Sequence, residues 1–178
     1  LPSPDPSSAT PTTPTESPTS PPTPTPDEDA ALRAEEVVRA YLRAQTDCLT
    51  NPLNTPDTCF DSVAIGTELV NRKNALTTAR AMGTRVSGEL VLESIELRGV
   101  DLTSTPDANP PVVPTVVFDA CLDVTSYLAV DEDGQSIVQP DRPARSALAL
   151  SVYNYVYPDE TAWRVGYVEP AEDLACSG

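Results

Sequence analysis

The sequence contains no histidine and a single lysine, Lys73. Without histidine the usual general base near neutral pH is missing, and with it the Ser-His-Asp and Cys-His triads and any imidazole ligand for zinc. The seven glycines form neither a G-x-x-x-x-G-K-[ST] nor a G-x-G-x-x-G loop, so nothing here cradles a nucleotide phosphate. No cofactor and no metal are implied. Long apolar runs are absent as well. The longest mostly apolar, uncharged stretch, SALALSVYNYVY from Ser146, falls short of the ~18 residues that cross a bilayer and reads as a strand. No transmembrane segment is expected.

Basic residues are scarce against acidic ones: 11 Lys and Arg face 27 Asp and Glu, a net charge of −16. Such a surface repels phosphate backbones, which disfavours nucleic acid and anionic membranes as partners. Asp5, Glu16, Asp27, Glu28 and Asp29 all precede the first base, Arg33.

Four cysteines are present, Cys48, Cys59, Cys121 and Cys176, with no C-x-x-C pair among them. An even count beside an extracellular-looking tail points to two disulfides and an oxidising compartment. The favoured pairing joins Cys48 to Cys59 across a short proline-containing loop. It also joins Cys121 to Cys176, tying the terminal LACSG back onto a central strand. The sequence begins at Leu1 with no initiator methionine and no basic-then-apolar leader. It is read as a processed or truncated chain, with any export signal or lipid anchor outside it.

Residues 1–28 are dominated by Pro, Thr and Ser and hold no aromatic residue. Nothing there can be buried to offset the entropy of folding, so the segment is expected to be disordered and biased toward polyproline II. A stalk beside a membrane or cell wall, of the O-glycosylated Ser/Thr/Pro kind, accounts for it. From 29 to 178 a single domain is expected. PDEDAALRAEEVVRAYLRAQTDCL starts with acids that suit a helix dipole and places Ala34, Val37, Val38, Tyr41, Cys48 and Leu49 on one face. After TNPLNTPD breaks it, a second helix is expected over TELVNRKNALTTARAM, stopping at Gly83. Strands follow. GELVLESIELRGVDL shifts its apolar phase near Glu93 and Gly99, as a bulged strand does. PTVVFDACLDVTSYLAV turns Val116, Phe118, Ala120, Leu122 and Val124 one way and Asp119, Cys121 and Asp123 the other. VDEDGQSIV reads as a hairpin, and RSALALSVYNYVY and AWRVGYVEP complete a sheet that short connections make antiparallel. The fold class is α+β, with helices on one face of about four long strands.

AYLRAQTDCL, CFDSVAIGTELVNRKNALTTARAMG and the closing AWRVGYVEPAEDLAC, in that order, resemble the NTF2-like (SnoaL-like) superfamily over about residues 30 to 176. More narrowly the chain is similar to small actinobacterial secreted proteins and lipoproteins. These carry a Thr/Pro-rich linker, a strand like Asp119–Val124, a loop like Pro140–Pro143 and a cysteine near the C-terminus. The resemblance implies a curved sheet wrapped round a long helix to form a cone. It does not imply one activity, because that fold carries isomerases, dehydratases, hydrolases and domains without catalysis.

Superfamily isomerases pair a carboxylate base with a tyrosine or protonated acid. Tyr41, Tyr153, Tyr155 and Tyr167 are the tyrosines available for that scheme. Asp119 and Asp123 are out of phase with the apolar face, however, and Glu93 sits at an irregularity, so no catalytic residue is assigned. DEDG at 131–134 has the look of a calcium loop but lacks ligands where Ala129 and Pro140 stand. The reading that remains is a non-catalytic binding or interaction domain shown on a stalk at the cell envelope or outside the cell. Tyr41, Phe60, Phe118 and Trp163 are the candidate lining of its pocket, and a cell-wall component or exported protein is its candidate partner. Homodimerisation through the sheet face, where YNYVY lies, is a further expectation. The alternative is an isomerase- or dehydratase-like enzyme using Asp, Glu and Tyr.

Overall fold

The computed structural model describes residues 23–171 together with Leu174 and Cys176. Most of the proline-rich segment, residues 1–22, lies outside the described residues. The first helix, α1 (Pro26–Thr50), starts inside the stretch that composition assigns to the stalk. Local chemistry sets that start. Pro26 occupies the first turn, where its missing N–H costs nothing, and Thr25 and Glu28 cap each other reciprocally. Ala30, Ala34, Val38, Tyr41, Leu42, Cys48 and Leu49 form its buried face. The helix ends at Asn51, and Pro52–Asn54 make a single 3-10 turn.

The second helix, α2 (Gly66–Met82), stops at Gly83, whose φ of 65° is left-handed and whose N–H returns to the carbonyls of Ala79 and Arg80. Next come β1 (Arg85–Ser87), β2 (Val91–Asp101), β3 (Thr115–Asp123), β4 (Leu128–Val130), β5 (Arg145–Tyr153) and β6 (Arg164–Pro170). The main sheet is antiparallel in the order β2-β3-β5-β6, and β1 pairs with β4 in a separate ribbon. Two register shifts interrupt β2, between Leu92 and Ser94 and between Leu97 and Gly99. They bend the strand and turn the extra residues Glu93 and Arg98 to the outer face. There Glu93 takes Arg145 of β5 and Arg98 takes Asp119 of β3. The result is two helices packed on a curved four-stranded sheet.

Two details differ from the sequence reading. The stretch expected as one strand to Val130 leaves the main sheet after Asp123. Val124 donates to the Ala144 carbonyl, Thr125 and Ser126 turn the chain, and Leu128–Val130 pair with Arg85–Ser87. The strand holding YNYVY ends at Tyr153, because Asn154 is fully buried and turns the chain by bonding the Asp159 carbonyl and the Val156 N–H. Tyr155 and Tyr157 are therefore not on a strand face with Tyr153.

The core lies between helices and sheet, and its largest fully buried side chains include Trp163, Tyr41, Phe60, Leu76 and Leu150. Disulfides join Cys48 to Cys59 and Cys121 to Cys176. The first closes the loop between the helices. The second fixes Cys176 on the outer face of β3, where the cross-strand neighbour of Cys121 is the small Ala147.

One close approach gives a direct test. Gly88 has a φ of 80°, and a Cβ there would stand 1.8 Å from the Ser126 carbonyl oxygen. That carbonyl is backbone and cannot swing aside. Gly88→Ala should cost about 1–3 kcal/mol, the range for a forced left-handed residue, with the clash pushing toward the top. A denaturant midpoint unchanged from wild type would refute it.

Candidate functional site

The four aromatics expected to line a pocket do not meet at an opening. Tyr41, Phe60, Phe118 and Trp163 are 1%, 0%, 2% and 1% exposed. Phe118 borders a groove between α1 and β2, Trp163 borders another beside Tyr157 and Pro158, and neither Tyr41 nor Phe60 lines the clefts described here. In a chain with two phenylalanines and one tryptophan, the space between helices and sheet takes the largest apolar groups.

Tyr41 instead takes part in a polar contact that the sequence reading missed. Its hydroxyl donates to Oε1 of Glu68 on α2, and Glu68 is the one charged residue buried among the described residues, at 3% exposure. Arg72, one turn further along α2, brings Nε to 2.8 Å from the same oxygen, as an ion pair rather than an aligned hydrogen bond. Asn71 Nδ2 reaches Oε2 at 3.4 Å, and Arg72 Nη1 donates to Gln45 Oε1 on α1 at 2.8 Å. A signal existed in the sequence. Glu68, Arg72 and Leu76 recur every four residues beside the apolar positions Leu69 and Ala79, so charge sits on the face that must pack.

The contact holds Tyr41 neutral. Burial pushes its phenol far above the usual tyrosine range and the bond to Glu68 adds to this, while the Arg72 charge pulls the other way. Burial also raises Tyr127, against Arg72 and Arg142. Of the six tyrosines, Tyr41 should therefore stay protonated through the ordinary range near 10, and Tyr127 should ionise above the exposed ones. Their raised folded values mean that this stabilisation is complete below the unfolded pKa of about 10 and is lost as pH rises toward the folded values. Tyrosinate absorbance should show Tyr41 ionising only with alkaline unfolding and Tyr127 ionising later than the exposed tyrosines. Six ionising together in folded protein would contradict the burial.

A second cleft on the inner side of the sheet, at the end where β3 turns away, is about 330 Å³ and is lined by other residues. Leu90, Leu122, Val124 and Leu148 supply its apolar wall, and Gln45, Tyr127, Arg142, Arg145 and Ser146 its polar groups. Arg142 donates to the carbonyls of Val124 and Tyr127 and so braces the turn that leaves β3. Arg145 is bound by both oxygens of Glu93. No carboxylate lines this cleft. Four other clefts among the described residues each have at least one: Asp29 and Glu160, Asp131 and Glu132, Asp141, or Glu28 and Glu35.

The carboxylates considered from sequence face elsewhere. Asp119 and Glu93 lie in ion pairs on the outer face, and Asp123 Oδ1 accepts the Thr125 N–H. Tyr153 also stands on that outer face, its ring centroid 6.3 Å from that of Tyr155, and Tyr167 is exposed. The outer face is thus a mixture of ion pairs, small residues and tyrosines. Among the described residues no group of three or more Asp, Glu or Cys is placed to hold a metal ion, and no helix is long and apolar enough to cross a membrane.

No protein-family model matches the chain, and no curated protein matches it. Among solved structures it is similar to the intermembrane space region of the chloroplast protein ARC6. The TM-score is 0.44 at 14% identity, over 79% of this chain and 95% of that one. At that level neither fold nor function is transferred. The two disulfides carry the statement on location by themselves: they fit an oxidising compartment outside the cytosol.

Proposed function

We propose that this chain is an exported, non-catalytic binding domain of NTF2-like build, displayed at the cell envelope or outside the cell on its Pro/Thr-rich segment. One observation carries the reading. The second cleft on the inner side of the sheet offers hydrogen-bond donors and apolar wall but no carboxylate base in its lining. The one buried acid, Glu68, is held by Tyr41 and Arg72 away from the cleft lining. Groups so arranged retain a ligand without moving its protons. The curved sheet packed against two helices is compatible with the cone, and the Thr/Pro-rich composition with a stalk that presents the domain to wall components or exported proteins.

An isomerase- or dehydratase-like enzyme working with a buried acid would need Glu68 to exchange protons with a bound substrate. The test is solvent deuterium uptake into an enolisable ketone incubated with the full chain in heavy water. Uptake at the buffer rate is expected. Uptake well above buffer that disappears in Glu68→Gln would replace the binding reading with the enzymatic one.

A further inference from the structure

We propose that the cleft between α1 and the β3–β5 end of the sheet binds a small amphipathic carboxylate, its head held by Arg142 and the Tyr127 hydroxyl and its alkyl chain lying on Leu90, Leu122 and Leu148. This rests on the binding reading above and adds the class of ligand.

The charge pattern selects the head group. In a chain of net charge −16, a cleft with two arginines and no acid in its lining departs from the surrounding surface. The charges around it divide clearly. Arg145 is held by both oxygens of Glu93, with Asp123 also acting on it, and Arg72 is matched by Glu68. Arg142 makes no ion pair among the described residues. Its partners are the neutral carbonyls of Val124 and Tyr127. A guanidinium has five N–H groups, so those two bonds leave donors over, together with a full positive charge. The Tyr127 hydroxyl makes no hydrogen bond among the described residues, although the ring is half-buried and feels both Arg72 and Arg142. A phenol O–H and a guanidinium lining the same cleft supply the donors that a carboxylate takes.

The wall selects the rest of the ligand. Leu90, Leu122, Val124 and Leu148 would leave a fully polar anion poorly matched, since their burial is favourable only under apolar groups. At about 30 Å³ for each water-sized group, a volume near 330 Å³ takes roughly ten non-hydrogen atoms. Octanoate has that size. Bulky or multiply charged anions do not fit, because a single unpaired cation faces the cleft.

Titration of the full chain with octanoate, octan-1-ol and acetate, followed by amide NMR shifts and calorimetry, separates the contributions. Octanoate should bind at least ten-fold tighter than octan-1-ol, with shifts at Leu90, Leu122 and Leu148, and acetate should bind far more weakly than either. Tyr127→Phe removes one donor without touching the turn and should weaken octanoate several-fold while leaving octan-1-ol unchanged. Arg142→Met should abolish the preference for the acid. Because Arg142 also braces the β3 turn, its melting curve is taken alongside and Tyr127→Phe carries the test if it unfolds. Equal affinity for acid and alcohol overturns the carboxylate assignment and leaves the binding reading intact. No octanoate binding, or shifts confined to the groove at Leu32 and Leu97, overturns the inference outright. Failure of the binding reading itself would appear separately, as Glu68-dependent deuterium uptake.

Discussion

Replacing Cys121 and Cys176 together by alanine is expected to lower the unfolding free energy by about 4 kcal/mol, the chain-entropy value for so long a closed loop. The bond spans 55 residues and encloses part of β3 and all of β4, β5 and β6. The enclosed segment is long, so an open chain has much freedom to lose on folding. The native side of the balance changes little. Cys121 is 6% exposed on the outer face and alanine leaves only a small gap there. The Cys48–Cys59 bond closes an 11-residue separation, and the same model assigns it about 3 kcal/mol. Chemical denaturation of the two double-alanine variants should rank them in that order. A Cys121/Cys176 variant as stable as wild type would mean that this bond contributes nothing to the stability of the fold.

Glu68→Ala should be nearly as damaging, for a different reason. It leaves the Tyr41 hydroxyl without a partner in the core and the Arg72 guanidinium without its counter-charge. Removing one member of a buried ion pair costs about 3–5 kcal/mol. At 2–4 °C per kcal/mol for a domain of this size, the melting temperature should fall by roughly 10 °C. A combined Tyr41→Phe, Glu68→Leu, Arg72→Met variant removes every polar member of the group and should recover most of the loss, since an apolar replacement leaves nothing unpaired. If Glu68→Ala were to melt within about 2 °C of wild type, Glu68 could not be the buried, paired group described here.

These two predictions also mark where sequence reading reached and where it stopped. The cysteine pairing expected from spacing and the pairing in the structure are the same. A short loop with two prolines admits the first bond, and the second needs only a chain end near a central strand. The phase breaks at Glu93 and Gly99 correspond to the two bulges, because a period of two cannot absorb an extra residue without turning side chains over. Glu68 escaped notice because a carboxylate on a helix is ordinarily solvated, and its partner Tyr41 lies 27 residues away on another helix. The cleft escaped for a similar reason. Its lining runs from Gln45 through Leu90 and Tyr127 to Leu148, brought together only when β4 leaves the main sheet to pair with β1. Aromatic residues were the visible markers in the sequence, but with so few of them the core took Tyr41, Phe60, Phe118 and Trp163.

The capped start of α1 has a mechanical consequence. A load applied at Thr25 and drawn against Cys176 enters the domain end-on through a 25-residue helix, which can lengthen only by losing its turns in succession. Under tension the path passes from Cys48 directly to Cys59 and from Cys121 directly to Cys176, so the two enclosed loops release no length while the bonds are intact. Reduction would add the 11- and 55-residue separations to the extended chain, about 220 Å at ~3.4 Å per residue. Oxidised, the domain can release only the stretches from Thr25 to Cys48 and from Cys59 to Cys121 under load, and reduction adds both shielded loops to that reserve.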